Sequence, residues 1–218
     1  IPGTPALKAG LHERLFNLSQ SLAHAHTPEA RRDACQALAD AFSKEDAGEL
    51  AAALPPSTLQ HVMPLLRISD LHCVIYACVI IANLAFDLHG QDLLLAARAP
   101  GVLLQAARKR SRDGSAGRGF TSSASLGEER DPDALTLTQL LAAMQNLTYN
   151  NAEACRAIAK RKGHSLLRTL LSHPSESVRS FAAGALANMH LCLEQGTAGA
   201  GPLGSALLGS LTDPSMRK

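Results

Sequence analysis

One local pattern recurs along this chain at a nearly fixed interval: an apolar helical run closed by a single amide or acid. "FAAGALANM" places Asn188 there, "LTQLLAAMQNLT" places Asn146, "VIYACVIIANLA" places Asn83, and "RRDACQALADAF" places Asp40. These anchors lie 43, 63 and 42 residues apart in chain order. Two of the three intervals fall in the period of about 40–47 residues that helical repeat arrays use, in which each unit can bury its apolar face only against a neighbour.

The long interval exceeds its neighbour by 21 residues, and the surplus has a visible home. Between Arg110 and Pro132 runs "SRDGSAGRGFTSSASLGEERD", rich in Gly and Ser and without apolar period. That composition predicts a long disordered insertion at residues 111–133. With it removed, the period is regular.

The columns agree with the spacing. Two residues before each anchor stand Leu38, Ile81, Met144 and Leu186; five before stand Cys35, Cys78, Leu141 and Ala183; six before stand Ala34, Ala77, Leu140 and Ala182. Offsets of three and four place these on one helical face. The small residues there predict close helix–helix approach, with Ala182 and Ala183 both buried. Composition points the same way, since the chain is 46% hydrophobic but only 3% aromatic. Its apolar content is Ala and Leu, which favours helix over strand.

The connecting pieces complete the unit. After Asn146, "NNAEACRAIAKRKG" predicts a short helix closed by Gly163, "HSLLRTLLSH" a second stopped by Pro174, and Ser175 or Ser177 a cap for the third. The preceding units repeat the order in "LHGQDLLLAARAPG" with "GVLLQAARKR", and in "EDAGELAAAL" with "PSTLQHVMPLLR". The stretch "KGHSLLRTLLSHPSESVRSFAAGALANM" resembles an armadillo repeat, a three-helix unit whose second helix follows a Gly and whose third ends in a small-Leu-x-Asn pattern. HEAT repeats, the neighbouring family, lack the Asn column. The resemblance implies an all-α, right-handed solenoid of about four armadillo-type repeats. Its divisions are a partial leading unit at 7–26, units at 28–67, 71–110 and 134–173, and a degenerate final one at 176–211.

In armadillo proteins, third helices line a groove and their Asn amides hold an extended partner. An amide offers donor and acceptor together, matching a peptide unit whatever the partner's sequence. The resemblance therefore implies a groove at Asn83, Asn146, Asn188 and the degenerate Asp40, with Ile75, Val79, Phe86 and Tyr149 beside them. The plainer reading of the amides is a helix cap or an inter-repeat bond to a neighbouring carbonyl. Importin-type repeats carry Trp four residues before the Asn; here those places read Gln36, Val79, Ala142 and Gly184. The slots that grip nuclear localisation signals are therefore not implied. The run from Cys73 to Phe86 is apolar nearly all round, which a surface helix should not be. A partner or the chain's own insertion is expected to cover it.

Catalysis and cofactors find no support. No metal-ligand set is readable: His24 with His26, and His190 with Cys192, stand two apart and face different ways. Cys35 or Cys73 lacks the surroundings of a nucleophile, and "DGSAGRG" lacks the strand and helix of a phosphate loop. The basic runs at 107–112 and 160–162 read as solvated helix ends, with a nuclear import signal or nucleic-acid patch as the alternative. Arg118 before Thr121, Ser122, Ser123 and Ser125 offers only a chance kinase pattern. Net charge is +2, giving no general case for nucleic acid. No run spans a bilayer, and the sequons at Asn17 and Asn146 carry no consequence in a protein that is not secreted. The odd set of five cysteines without C-x-x-C predicts reduced thiols in cytoplasm or nucleus. Opening at Ile1 without a signal-peptide pattern reads as a piece of a longer protein. The expectation is a non-catalytic scaffold without cofactor, metal or small-molecule substrate, binding a protein or peptide segment. The alternative is a structural segment of a longer solenoid whose groove its own insertion or flanks cover.

Overall fold

Helix starts are written locally. Thr27, Asp46, Asp70, Asp87, Asp131 and Asn151 each stand just before a helix and accept hydrogen bonds from its first backbone N–H groups. They satisfy donors that no intrahelical carbonyl can reach. Ser175, one of the two expected caps, accepts from the Val178 N–H at 3.5 Å. Pro28 and Pro132 occupy first-turn positions, where a missing N–H costs nothing.

The computed structural model describes residues 5–116 and 131–197, and these form helices joined by short turns, with no strand among them. In chain order they are α1 (Pro5–Ala23), α2 (Pro28–Lys44), α3 (Ala47–Ala53), α4 (Thr58–Leu65), α5 (Leu71–Leu84), α6 (Leu88–Ala96), α7 (Ala99–Ala116), α8 (Pro132–Thr148), α9 (Ala152–Ala159), α10 (Gly163–Leu170) and α11 (Glu176–Thr197). Short, middle and long third helices repeat as α3–α4–α5, α6–α7–α8 and α9–α10–α11, preceded by α1 and α2. The anchors Asp40, Asn83, Asn146 and Asn188 fall on α2, α5, α8 and α11 in turn.

The third helices stack in that order: α2 on α5, α5 on α8, α8 on α11. Middle helices back them, α4 against α5, α7 against α8 and α10 against α11. This explains the apolar run from Cys73 to Phe86. With α2 on one side, α8 on the other and α4 behind, Cys73, Val74, Ala77, Cys78, Ile80, Ile81 and Leu84 are all buried. Much of the expected cover is therefore supplied by neighbouring units.

The column two residues before the anchor is buried at Leu38, Ile81 and Met144, and the column six before is buried throughout, Ala182 included. The outermost helix differs. Ala183 is exposed and Leu186 half-buried, whereas Cys35, Cys78 and Leu141 in the Ala183 column are buried. That column faces the following unit, and no described element stacks beyond α11. The expected burial of Ala183 is therefore corrected.

Two further sequence expectations shift. Lys162, not Gly163, takes the left-handed conformation after α9 (φ 57°), and Arg98 does the same after α6 (φ 59°). Gly163 opens α10 and is needed for close approach: a Cβ there would stand 2.2 Å from Ile158 Cγ2 and 2.9 Å from the Ile158 carbonyl oxygen. Residues 111–116 and 132–133, expected to belong to the insertion, are helical, since α7 continues to Ala116 and α8 begins at Pro132. The extra turn of α7 propagates from a well-anchored stem, which needs no new nucleus. Ala106, Ala107 and Arg110 are buried there, and Arg110 donates to the Ile68 carbonyl at 3.0 Å. Residues 117–130, with Arg118 and the Ser/Thr cluster, and residues 198–211 of the final repeat lie outside the described residues.

Candidate interaction face

α5 and α8 tighten at their ends. The Phe86 N–H bonds the Asn83 carbonyl and the Tyr149 N–H bonds the Asn146 carbonyl, three residues back rather than four. This tightening leaves the Ala82 and Gln145 carbonyls without their helical donors. The next unit supplies donors. Asn146 Nδ2 donates to the Ala82 carbonyl at 3.3 Å, and Asn188 Nδ2 to the Gln145 carbonyl at 2.9 Å. In both cases the acceptor stands one residue before the anchor of the preceding unit, so the contact repeats in register.

Asn188 Nδ2 also lies 3.4 Å from Thr148 Oγ1, which itself donates to the Gln145 carbonyl at 3.0 Å. Asn83 behaves differently, turning its Nδ2 to the Val79 carbonyl of its own helix at 2.9 Å. The preceding anchor, Asp40, is exposed. All three amides are half-buried. The Asn column thus has a structural task in two of its three units.

A second polar chain runs beside it. Gln91, buried on α6, donates to the carbonyls of Ala85 at 2.9 Å and Tyr149 at 3.3 Å, and its Oε1 accepts from Asn151 Nδ2 at 2.9 Å. Cys155 and Cys192 both direct their thiols at the Thr148 carbonyl, at 3.4 and 3.7 Å. Apart from the Gln91–Asn151 pair, these contacts close the ends of consecutive third helices with main-chain carbonyls as acceptors.

Around the amides the face is apolar and part-open. Ile75, Tyr76 and Val79 on α5 are half-buried, and Ile75 stands outside the packed core that Tyr76 and Val79 border. Three residues past each Asn stands a large exposed side chain: Phe86 at 72%, Tyr149 at 62% and Leu191 at 55% exposure. Sequence reading named Phe86 and Tyr149 but not Leu191. The fixed offset from the anchor was the signal that finds it. Gly184 leaves room on α11 for the Gln145 side chain, whose Cδ would lie 2.5 Å from an added Cβ.

The charged groups are engaged elsewhere. Arg32 on α2 donates to Asp70 at 2.6 Å, and Asp70 caps α5. Burial alone would raise the Asp70 carboxyl, but the Arg32 hydrogen bond, the Cys73 and His72 N–H groups and the Arg32 charge outweigh it and lower it. The basic run of α7 is partly structural rather than simply solvated. Arg108 donates to the Arg161 carbonyl, and the buried Arg110 pairs with Asp133 at 3.9 Å. His24 faces the Gln20 carbonyl at 2.8 Å, and His190 pairs with Glu194 at 3.1 Å. No three His, Cys, Asp or Glu residues converge among the described residues, and no described helix is long and apolar enough to cross a membrane. All five cysteines are free and buried. Burial pushes the Cys35, Cys73, Cys78 and Cys155 thiols up, which keeps them protonated and poor as nucleophiles.

No known family profile and no curated protein matches the chain. Solved structures do. An engineered protein superposes with a TM-score of 0.61 at 21% identity, over 80% of this chain and 37% of that one, so this chain spans well under half its length. A designed armadillo repeat protein superposes with a TM-score of 0.60 at 20% identity, over 92% of this chain and 84% of that one. Another, in complex with the peptide (KR)4, superposes with a TM-score of 0.58 at 18% identity, over 87% of this chain and 77% of that one. At these identities the likeness is one of fold, and with the recurring three-helix unit and its stacked third helices it leads to one conclusion: the chain has an armadillo-like repeat fold, an all-α solenoid.

Proposed function

We propose that this chain is a non-catalytic protein-interaction module that holds a polypeptide segment along the face shared by α5, α8 and α11. The observation that carries the reading is the recurring exposed row of Phe86, Tyr149 and Leu191, each three residues past an anchor amide. Large apolar side chains left open in register mark interaction surfaces far better than scattered ones do. Ile75 and Val79, with Asn83 in line, form the centre of the site, aliphatics supplying most of the affinity and amides contacting the segment's backbone. Asp40 extends the row onto α2. A solved armadillo design of the same fold is in complex with the peptide (KR)4, which supports a peptide-binding reading of the fold. Five free thiols fit a reducing compartment, the cytoplasm or nucleus.

A second reading makes the chain a structural segment of a longer solenoid. Ala183 favours it, being exposed in a column that is buried in every earlier unit.

The test is selection of ten-residue segments from a random display library on the intact chain, repeated on the Ile75→Asp, Val79→Asp double variant. The wild type is expected to enrich segments that the variant does not bind, with helical circular dichroism unchanged between the two. If the variant unfolds, these side chains belong to the core and the face is misplaced.

A further inference from the structure

This inference rests on the interaction-face reading and deepens it by naming the partner's chemistry. On an α-helix, the residues eleven, eight, seven and four before an anchor, the anchor itself and the residue three after it share one arc of about 100°, at ~100° per residue. In α5, α8 and α11 every such position except Thr138 is exposed or half-buried, so the stripe is the open side of the stack. None of these positions in the three units holds Asp, Glu, Lys or Arg, in a chain with 21 Lys and Arg and 19 Asp and Glu. His72 stands at the N-terminal end of the stripe on α5. Its bulk is Ile75, Tyr76, Val79, Phe86, Phe181 and Leu191.

Charge returns abruptly on α2, where the same offsets from Asp40 give Glu29, Arg32 and Asp33. The uncharged stretch therefore covers α5, α8 and α11 and is bounded by charge on the α2 side. We propose that it takes an extended, uncharged polypeptide segment with apolar side chains, and that it rejects basic and acidic segments. A charged side chain laid on this stripe would lose hydration with no countercharge to meet it. An extended backbone, by contrast, meets amide oxygens. Asn146 and Asn188 have their Nδ2 groups tied back to the preceding helix, which leaves each Oδ1 as an acceptor for a bound N–H. Helices stack ~8–10 Å apart and an extended chain rises ~3.3 Å per residue, so three units match roughly six to nine residues.

The experiment is the composition of the segments selected from the random library on the intact chain. Enriched segments depleted in Asp, Glu, Lys and Arg and rich in Leu, Val and Phe support the proposal. A set rich in either sign of charge overturns it while leaving the interaction face standing. Failure to find any segment that distinguishes wild type from the Ile75→Asp, Val79→Asp variant overturns the face itself, and this proposal with it. A second arm uses the synthetic peptide (KR)4 as probe. The double variant, still helical, should gain at least about tenfold in (KR)4 affinity over wild type, measured at low salt where such pairing is least screened. Equal affinity for the two proteins would overturn the proposal.

Discussion

Asn188 donates its amide to the main-chain carbonyl of Gln145 at 2.9 Å, one residue before the anchor of the preceding unit. Asn146 makes the matching contact to Ala82. The amide that the resemblance assigns to a partner thus also braces the array, closing a carbonyl freed where the third helix tightens. Both tasks can coexist, because the donor end of the amide faces the preceding unit and the acceptor end does not.

Substituting the anchors separates their structural weights. Asn188→Ala and Asn146→Ala should each lower stability by about 1 kcal/mol, the net worth of one hydrogen bond whose acceptor lacks another helical donor. Asn83→Ala should change it by much less, since Val79 already has its helical donor. Urea denaturation midpoints of the three variants check the order; equal losses would remove the distinction between inter-unit and local amides.

The small-residue column makes a paired prediction. Ala182→Leu should overpack the contact between units and cost ~1–3 kcal/mol. Ala183→Leu, on the exposed side of α11, should stay within about 0.5 kcal/mol of wild type. A large loss at position 183 would mean that the side is covered in solution.

Glycines divide in the same way. Gly90→Ala should destabilise strongly, because its Cβ would sit 2.1 Å from the Leu84 carbonyl oxygen, and Gly163→Ala should do so against Ile158. Gly10 has nothing within 4 Å of a built Cβ and lies inside α1, so Gly10→Ala should stabilise by up to ~1 kcal/mol. Thermal melts of the three proteins provide the comparison.

Acid should weaken the start of α11. Burial, with the Arg179 charge adding and the Asp131 charge opposing, lowers the His173 pKa below its ordinary value. Its Nδ1 accepts from the Ser175 N–H at 3.2 Å, a role only the neutral ring can fill. The folded state therefore binds this proton less readily than the unfolded chain. The stability it confers is complete above about pH 6.5 and lost as pH falls through the lower folded value. His173→Asn keeps an acceptor without the titration, so its melting temperature should fall less than that of wild type between pH 7 and 5. Parallel profiles would exclude His173 as the sensor.

Several features of this molecule were legible in the sequence. The anchor spacing gave the unit, and Ser175 ahead of an apolar run marked a helix start. These are local or periodic signals, set by backbone hydrogen bonding and by the need of each unit to bury one face. Other features depend on what a neighbouring unit presents. Ala182 and Ala183 are alike in sequence, yet only Ala182 is buried, because α8, α9 and α10 pack against α11 while no described unit stacks beyond it. Lys162 took the left-handed turn expected of Gly163, because the crowding at Ile158 required the glycine one step later. An amide carries donor and acceptor alike, and the sequence does not say which way it turns. That was decided by the ends of α5 and α8, whose tightened last turns left carbonyls pointing at the next unit's asparagine.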